Sequence, residues 1–154
     1  MKITVLYGTE SGNSELVAED LGAALQADHD VTVSDLRDFD PALIKPDTHY
    51  IVVCSTHGEG ELPESALPFG TRLEETAPDL TGVRYAMFGL GDTFYESTYS
   101  QGSEIIDRKF TELGGVRVGE YGRHDASSWD LASDLALAWL PGIVQALAGD
   151  RVGR

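Results

Sequence analysis

The sequence predicts an α/β protein, a three-layer sandwich in which a five-stranded parallel sheet carries helices on both faces. Apolar runs of strand length alternate with helix-length amphipathic stretches along the 154 residues. Several of those runs are continuously hydrophobic, as strands covered on both faces must be, whereas a half-exposed sheet would alternate apolar and polar positions. Ligands of such a sandwich bind beyond the carboxyl ends of its strands, where the strand order reverses.

The first strand is "KITVLYG" (2–8), which leads through "TESGNSE" into a helix over 13–27. "DVTVSDL" (30–36) is the second. The following "RDFDPALIKPD" is short and broken by Pro41 and Pro46, so it crosses over as loop with little helix. "YIVVCST" (50–56) is the third strand, with a helix over 64–76; "RYAMFGLG" (84–91) is the fourth, with a helix over 100–114. "VRVGEYG" (116–122) is the fifth, and a helix over 129–148 closes the pattern. Residues 1–150 form one domain, long enough to bury a core without staples, and 151–154 are a frayed tail. Repeats and low-complexity tracts are absent.

A formal charge of -15 argues against binding a nucleic-acid backbone or an anionic membrane surface and makes a basic protein the natural partner. On charge alone, a merely solubilising coat explains the acids better. No apolar run is long enough to cross a bilayer, and "MK" passes straight into a strand pattern, so the expectation is a soluble, unexported protein. Its single cysteine, Cys54, lies inside an apolar run and can form no internal disulfide, which suits a reducing compartment and points to the cytoplasm. A small core residue describes Cys54 better than a nucleophile does.

The four loops at the predicted binding edge are "TESGNSE", "STHGEGELPES", "GDTFYESTYSQG" and "GRHDASSWD". In the first, Thr9, Ser11, Gly12, Asn13 and Ser14 sit at a strand-to-helix turn, where free backbone N–H groups, a helix dipole and short hydroxyl side chains converge to hold a phosphate. An ordinary N-cap by Ser11 or Asn13 accounts for the loop alone slightly better. It lacks the lysine of a G-x-x-x-x-G-K-[ST] loop, and no basic residue occurs between Lys2 and Arg37. Such a loop holds a phosphate as a handle and is unsuited to transferring one. A G-x-G-x-x-G fingerprint is also missing, as are the Cys and Arg of a low-molecular-weight phosphatase and the acids of a response-regulator receiver.

His57 in the third loop and Tyr95 in the fourth emerge on neighbouring loops of one sheet edge, so two flat side chains can flank one planar heterocycle, at about 1–3 kcal/mol per contact by analogy with base stacking. Each ring alone is as well explained by packing, and Tyr99, Phe94 and Phe69 better so. His29, His49, His57 and His124 are scattered without ligand spacing, and no arrangement resembles a catalytic triad, so neither a metal nor a catalytic residue is expected.

"TESGNS", "STHGEGELPES" and "FGLGDTFYE", with the spacing between them, resemble the flavodoxin family over nearly the whole chain, most of all the short MioC-type flavodoxins and the FMN domains of diflavin reductases. The resemblance implies a flavodoxin-like fold with strand order 2-1-3-4-5. It also implies FMN, bound by its phosphate in the first loop and by its isoalloxazine ring between the third and fourth. Carried over by position, Thr9, Glu10, Ser11, Gly12, Asn13 and Ser14 surround the phosphate. Ser55, Thr56, His57, Gly58, Glu59 and Gly60 run along the inner side of the ring, the Gly58–Glu59 peptide turning its carbonyl towards flavin N5 on reduction. Leu90, Gly91, Asp92, Phe94 and Tyr95 reach the ribityl chain, the pyrimidine edge and the outer face, with Asp125 near the ring. The chain departs from the family at His57, where many members have Trp or Tyr, and at "GRHDASSWD", where the diflavin domains carry an acidic cluster.

No Lys or Arg occurs from 46 to 71 or from 85 to 107, whereas Glu59, Glu61, Glu64, Asp92, Glu96, Glu104 and Asp107 do, so the acids are expected to enrich the redox edge. The function this implies is a monomeric FMN electron carrier, without a substrate of its own, between a basic flavodoxin reductase and a downstream redox enzyme. An NAD(P)H-dependent quinone reductase and a flavin-free interaction module are the alternatives.

Overall fold

The computed structural model describes residues 1–9, 13–55, 66–91, 101–125 and 131–149. Its strands are β1 (Lys2–Gly8), β2 (Asp30–Asp35), β3 (His49–Ser55), β4 (Arg84–Gly91), β5 (Val116–Arg117) and β6 (Gly122–Asp125). Four helices accompany them: α1 (Asn13–Leu25), α2 (Leu67–Thr76), α3 (Gln101–Glu112) and α4 (Ala132–Gly149). The sheet is parallel and ordered β2-β1-β3-β4-β5, with β6 also paired to β4, which is the expected order.

The unbroken apolar runs are explained by a core on each face. Ile3, Val5, Ile51, Val53, Ala86, Phe88 and Leu90 meet Val17, Ala18 and Leu21 of α1 and Ala136, Leu140 and Ile143 of α4. The alternate positions Leu6, Tyr50, Val52, Cys54, Tyr85 and Met87 meet Phe69 and Leu73 of α2 and Ile106 and Phe110 of α3. Phe69 is fully buried in packing, as its sequence context implied.

The proline-broken crossover contains two short 3-10 turns, Leu36–Asp38 and Pro41–Leu43, each begun by an aspartate that accepts a hydrogen bond from the backbone two residues on. Arg72 of α2 ties this segment down by donating to the carbonyls of Leu36, Arg37 and Phe39 at 3.4, 3.0 and 2.9 Å. The fifth strand differs from the expectation. Residues 116–122 do not form one strand: pairing with β4 stops after Arg117 and resumes at Gly122, and Gly119 between them holds a φ of +76°. Once resumed, the strand runs on through "GRHD", which had read as loop.

Candidate functional site

Strand register builds the site's frame. Gly8 of β1 lies beside Cys54 of β3, Cys54 beside Gly89, Ser55 beside Leu90 of β4, and Gly91 beside Asp125 of β6. The points where the first, third, fourth and fifth loops leave the sheet are therefore aligned along one edge. Strands there are about 4.8 Å apart, so the four exits span a small heterocyclic ligand. Between β1 and β3 the strand order reverses, and Ser55 Oγ donates across that crevice to the Gly8 carbonyl at 3.4 Å.

Gly8 closes β1 in a tightly packed place. A Cβ there would stand 3.0 Å from Ala66 Cβ, 3.1 Å from Cys54 Sγ and 3.1 Å from Leu36 Cδ1. Sequence reasoning did not include Gly8 or its neighbour Tyr7 in the site. Burial, with the negative charge of Glu15 and Asp35 adding to it, pushes the Tyr7 phenol up to about 12. An aromatic residue at the last full position of a strand was the available signal.

α1 begins at Asn13, and its first turn presents backbone N–H groups without helical partners. Ser14 in that turn is completely buried, yet its Oγ has no hydrogen-bond partner. A buried hydroxyl left unpaired costs about 1–3 kcal/mol, so a group in this condition at a helix N-terminus calls for an external acceptor. The residues thus fit a phosphate handle: orphan donors, a favourable dipole and no cation in the sequence from residue 3 to 36.

Of the expected contacts, the structure brings Thr9, Asn13, Ser14, Ser55, Leu90, Gly91 and Asp125 to this edge. Leu90 is 6% exposed and belongs to the core beneath the edge. Glu10, Ser11, Gly12, Thr56, His57, Gly58, Glu59, Gly60, Asp92, Phe94 and Tyr95 lie outside the described residues. Two of the seven carboxylates expected around the ring turn elsewhere. Glu104 pairs with Arg123 at 2.9 Å, while Asp107 pairs with Arg117 at 2.5 Å and accepts a hydrogen bond from Tyr85 at 2.6 Å. Both arginines also lie over the Tyr121 ring, at 4.0 and 5.0 Å, so these acids stitch α3 to the sheet edge. Glu59, Glu61, Glu64, Asp92 and Glu96 lie outside the described residues.

Cys54, directly below Ser55, is fully buried, and burial pushes its thiol up to about 12 from 9.0. Burial thus disfavours the thiolate, and the thiolate is the nucleophile. Iodoacetamide at pH 8 should therefore leave the native protein unlabelled and modify one thiol once denaturant is added; rapid native labelling would contradict the burial. Among the described residues no group of three or more His, Cys, Asp or Glu side chains can hold a metal ion, and no helix is long and apolar enough to cross a membrane.

The family model described as Flavodoxin matches residues 5–139. The sulfite reductase (NADPH) flavoprotein alpha-component of Bacillus subtilis is 41% identical over 149 residues, covering 95% of this chain and 24% of that protein. NADPH-dependent diflavin oxidoreductase 1 of Cryptococcus neoformans is 33% identical over 140 residues, 88% of this chain and 22% of its own. The chain thus spans about a quarter of the length of these relatives. Among solved structures, a cysteine variant of flavodoxin from Pseudomonas aeruginosa superimposes with a TM-score of 0.82 at 31% identity, over 97% of this chain and 100% of that one. Oxidised Flavodoxin 1 from Bacillus cereus gives 0.80 at 26% identity, over 96% and 100%.

Proposed function

The chain belongs to the flavodoxin family, and from that premise we propose that it is an FMN-binding electron carrier, taking electrons from a basic reductase and delivering them to a downstream redox enzyme. The observation that carries the reading is the buried, partnerless Ser14 hydroxyl at a cation-free helix N-terminus beside the reversal of strand order. Bound FMN supplies exchange between one-electron and two-electron redox chemistry.

This chain's own residues hold, orient and shield. The first turn of α1 and the hydroxyls of Thr9 and Ser14 would hold the phosphate, with Glu10, Ser11, Gly12 and Asn13 completing the loop. Ser55 to Gly60 would lie along the inner side of the ring and Leu90, Gly91, Asp92, Phe94 and Tyr95 along its outer side, with Asp125 near its edge. Leu90 keeps water from the floor of the site, since it is packed into the core. Residues 1–150 would form one FMN-binding unit, monomeric and cytoplasmic, with no substrate of its own.

The test is an absorption spectrum of the purified protein followed by stepwise anaerobic reduction, and an assay with NAD(P)H and a quinone. Bound flavin that is reduced only when a reductase is added is the expected result. Turnover of quinone by the isolated protein would make it an enzyme instead. A colourless protein that fails to take up FMN would leave only an interaction module.

A further inference from the structure

Residues 36–48 cross from β2 to β3 without an α-helix, because Pro41 and Pro46 interrupt them, so their carbonyls lack the regular partners a helix would give. Arg72 supplies donors from α2: its Nη2 donates to the carbonyls of Leu36, Arg37 and Phe39. The Nε of the same guanidinium is buried and has no acceptor among the described residues. A buried donor without a partner is a cost, and an apolar side chain at 72 would avoid it. Such a side chain would also leave the three carbonyls unheld.

The held segment reaches the candidate site. Tyr7 and Asp35 are the last register pair of β1 and β2, so Leu36 stands level with Gly8. Leu36 is fully buried, and its Cδ1 lies 3.1 Å from the point where a Cβ at Gly8 would stand. Ala66 Cβ and Cys54 Sγ lie 3.0 and 3.1 Å from the same point, and all three side chains belong to one core cluster. Three loop ends therefore meet beside one leucine. Gly8 leads into the first loop, Ser55 next to Cys54 leads into the third, and Ala66 lies where the third loop returns to α2. In a close-packed interior a shift of Leu36 is passed on to all of them.

We propose that Arg72 is a positioning residue for the flavin site: by fixing the backbone of residues 36–39 it seats Leu36 as the wedge that sets the first and third loops relative to each other. It acts through Leu36 and not by contact with the flavin. Its donors matter more than its charge, because the bonds it makes are to neutral carbonyls. This rests on the electron-carrier reading, since the spacing it sets has a function only if a flavin occupies the space between those loops.

The test is fluorescence titration with FMN, together with visible circular dichroism of the bound flavin at saturating FMN, both well below each variant's melting temperature. Arg72→Met keeps an unbranched apolar stem and removes every donor; FMN should then bind about tenfold more weakly and the dichroism should change. Arg72→Lys, whose ammonium carries three N–H donors, should retain most of both. Leu36→Val should repeat the Arg72→Met result, and carries the same expectation if Arg72→Met does not fold. The double variant should lose little more than either single one, because both act through one wedge. Arg84→Met is the control: it removes an arginine that donates to the Ala146 carbonyl at 2.8 Å, at the opposite end of the sheet. It should lower the melting temperature and leave affinity and dichroism as in wild type. A wild-type protein that binds no flavin sinks the carrier reading. Flavin-loaded Arg72→Met or Leu36→Val with the affinity and dichroism of wild type sinks the positioning role alone, as do additive losses in the double variant, an Arg72→Lys protein no better than Arg72→Met, or an equal loss in Arg84→Met.

Discussion

FMN should bind this protein at least about a hundredfold more tightly than riboflavin, and Ser14→Ala should remove roughly tenfold of that margin without weakening the FMN-free fold. The two ligands differ only in the phosphate, so the ratio isolates the first loop. A hydrogen bond to a charged acceptor contributes about 1.5–3 kcal/mol, and two such bonds at the start of α1 suffice for the hundredfold. Ser14 Oγ is buried without a partner, so the FMN-free protein already bears the cost of an unsatisfied hydroxyl. Alanine removes that cost, and the melting temperature of the FMN-free variant should stay level or rise by the equivalent of up to about 1 kcal/mol. A capping role gives the opposite sign, because losing a cap costs about 1 kcal/mol of stability and leaves the ligand ratio alone. Fluorescence titrations with both flavins, paired with thermal melts of the FMN-free proteins, distinguish the two. Equal affinity losses for FMN and riboflavin would show that Ser14 does not meet the phosphate.

Gly122→Ala should destabilise the protein by about 3 kcal/mol, at the upper end of the usual overpacking penalty. A Cβ at 122 would lie 2.4 Å from Phe88 Cδ2, 2.9 Å from Phe88 Cε2 and 2.9 Å from Trp139 Nε1. None of these can step aside easily. Phe88 is 1% exposed and meets the Trp139 ring edge-on at 5.2 Å, and the indole N–H is anchored on the Glu120 carbonyl at 2.7 Å. Backbone retreat is also blocked, because Gly122 is paired with Phe88 in the sheet. If the ring is the obstacle, Phe88→Leu should relieve the strain, and denaturant melts of both single variants and the double should give a sum of single costs exceeding the double's by more than about 0.5 kcal/mol. Additive costs would locate the strain elsewhere. Because β6 carries the chain to Asp125 at the site's edge, the same variant should also weaken FMN binding.

By itself the sequence determined the layers and the binding edge. Unbroken apolar runs such as "YIVVC" require cover on both faces, Pro41 and Pro46 forbid a long helix in the second crossover, and a loop rich in hydroxyls and empty of lysine and arginine at the start of α1 suits a helix N-cap or a phosphate handle. These are consequences of local geometry, which a few neighbouring residues set. Tertiary structure alone decided what depends on groups distant in the chain. The interruption of the fifth strand is set by its pairing with β4, some thirty residues earlier, and by the packing of Gly122 against Phe88 and Trp139. Ser14, one hydroxyl among several in its loop, is distinguished only by burial that leaves it without an acceptor. The cation-free window from 85 to 107 made Glu104 and Asp107 look free, yet Arg123 and Arg117 reach them from 19 and 10 residues away. A charge is neutralised by whatever lies within a few ångströms of it, and that distance exists only once the sheet has formed.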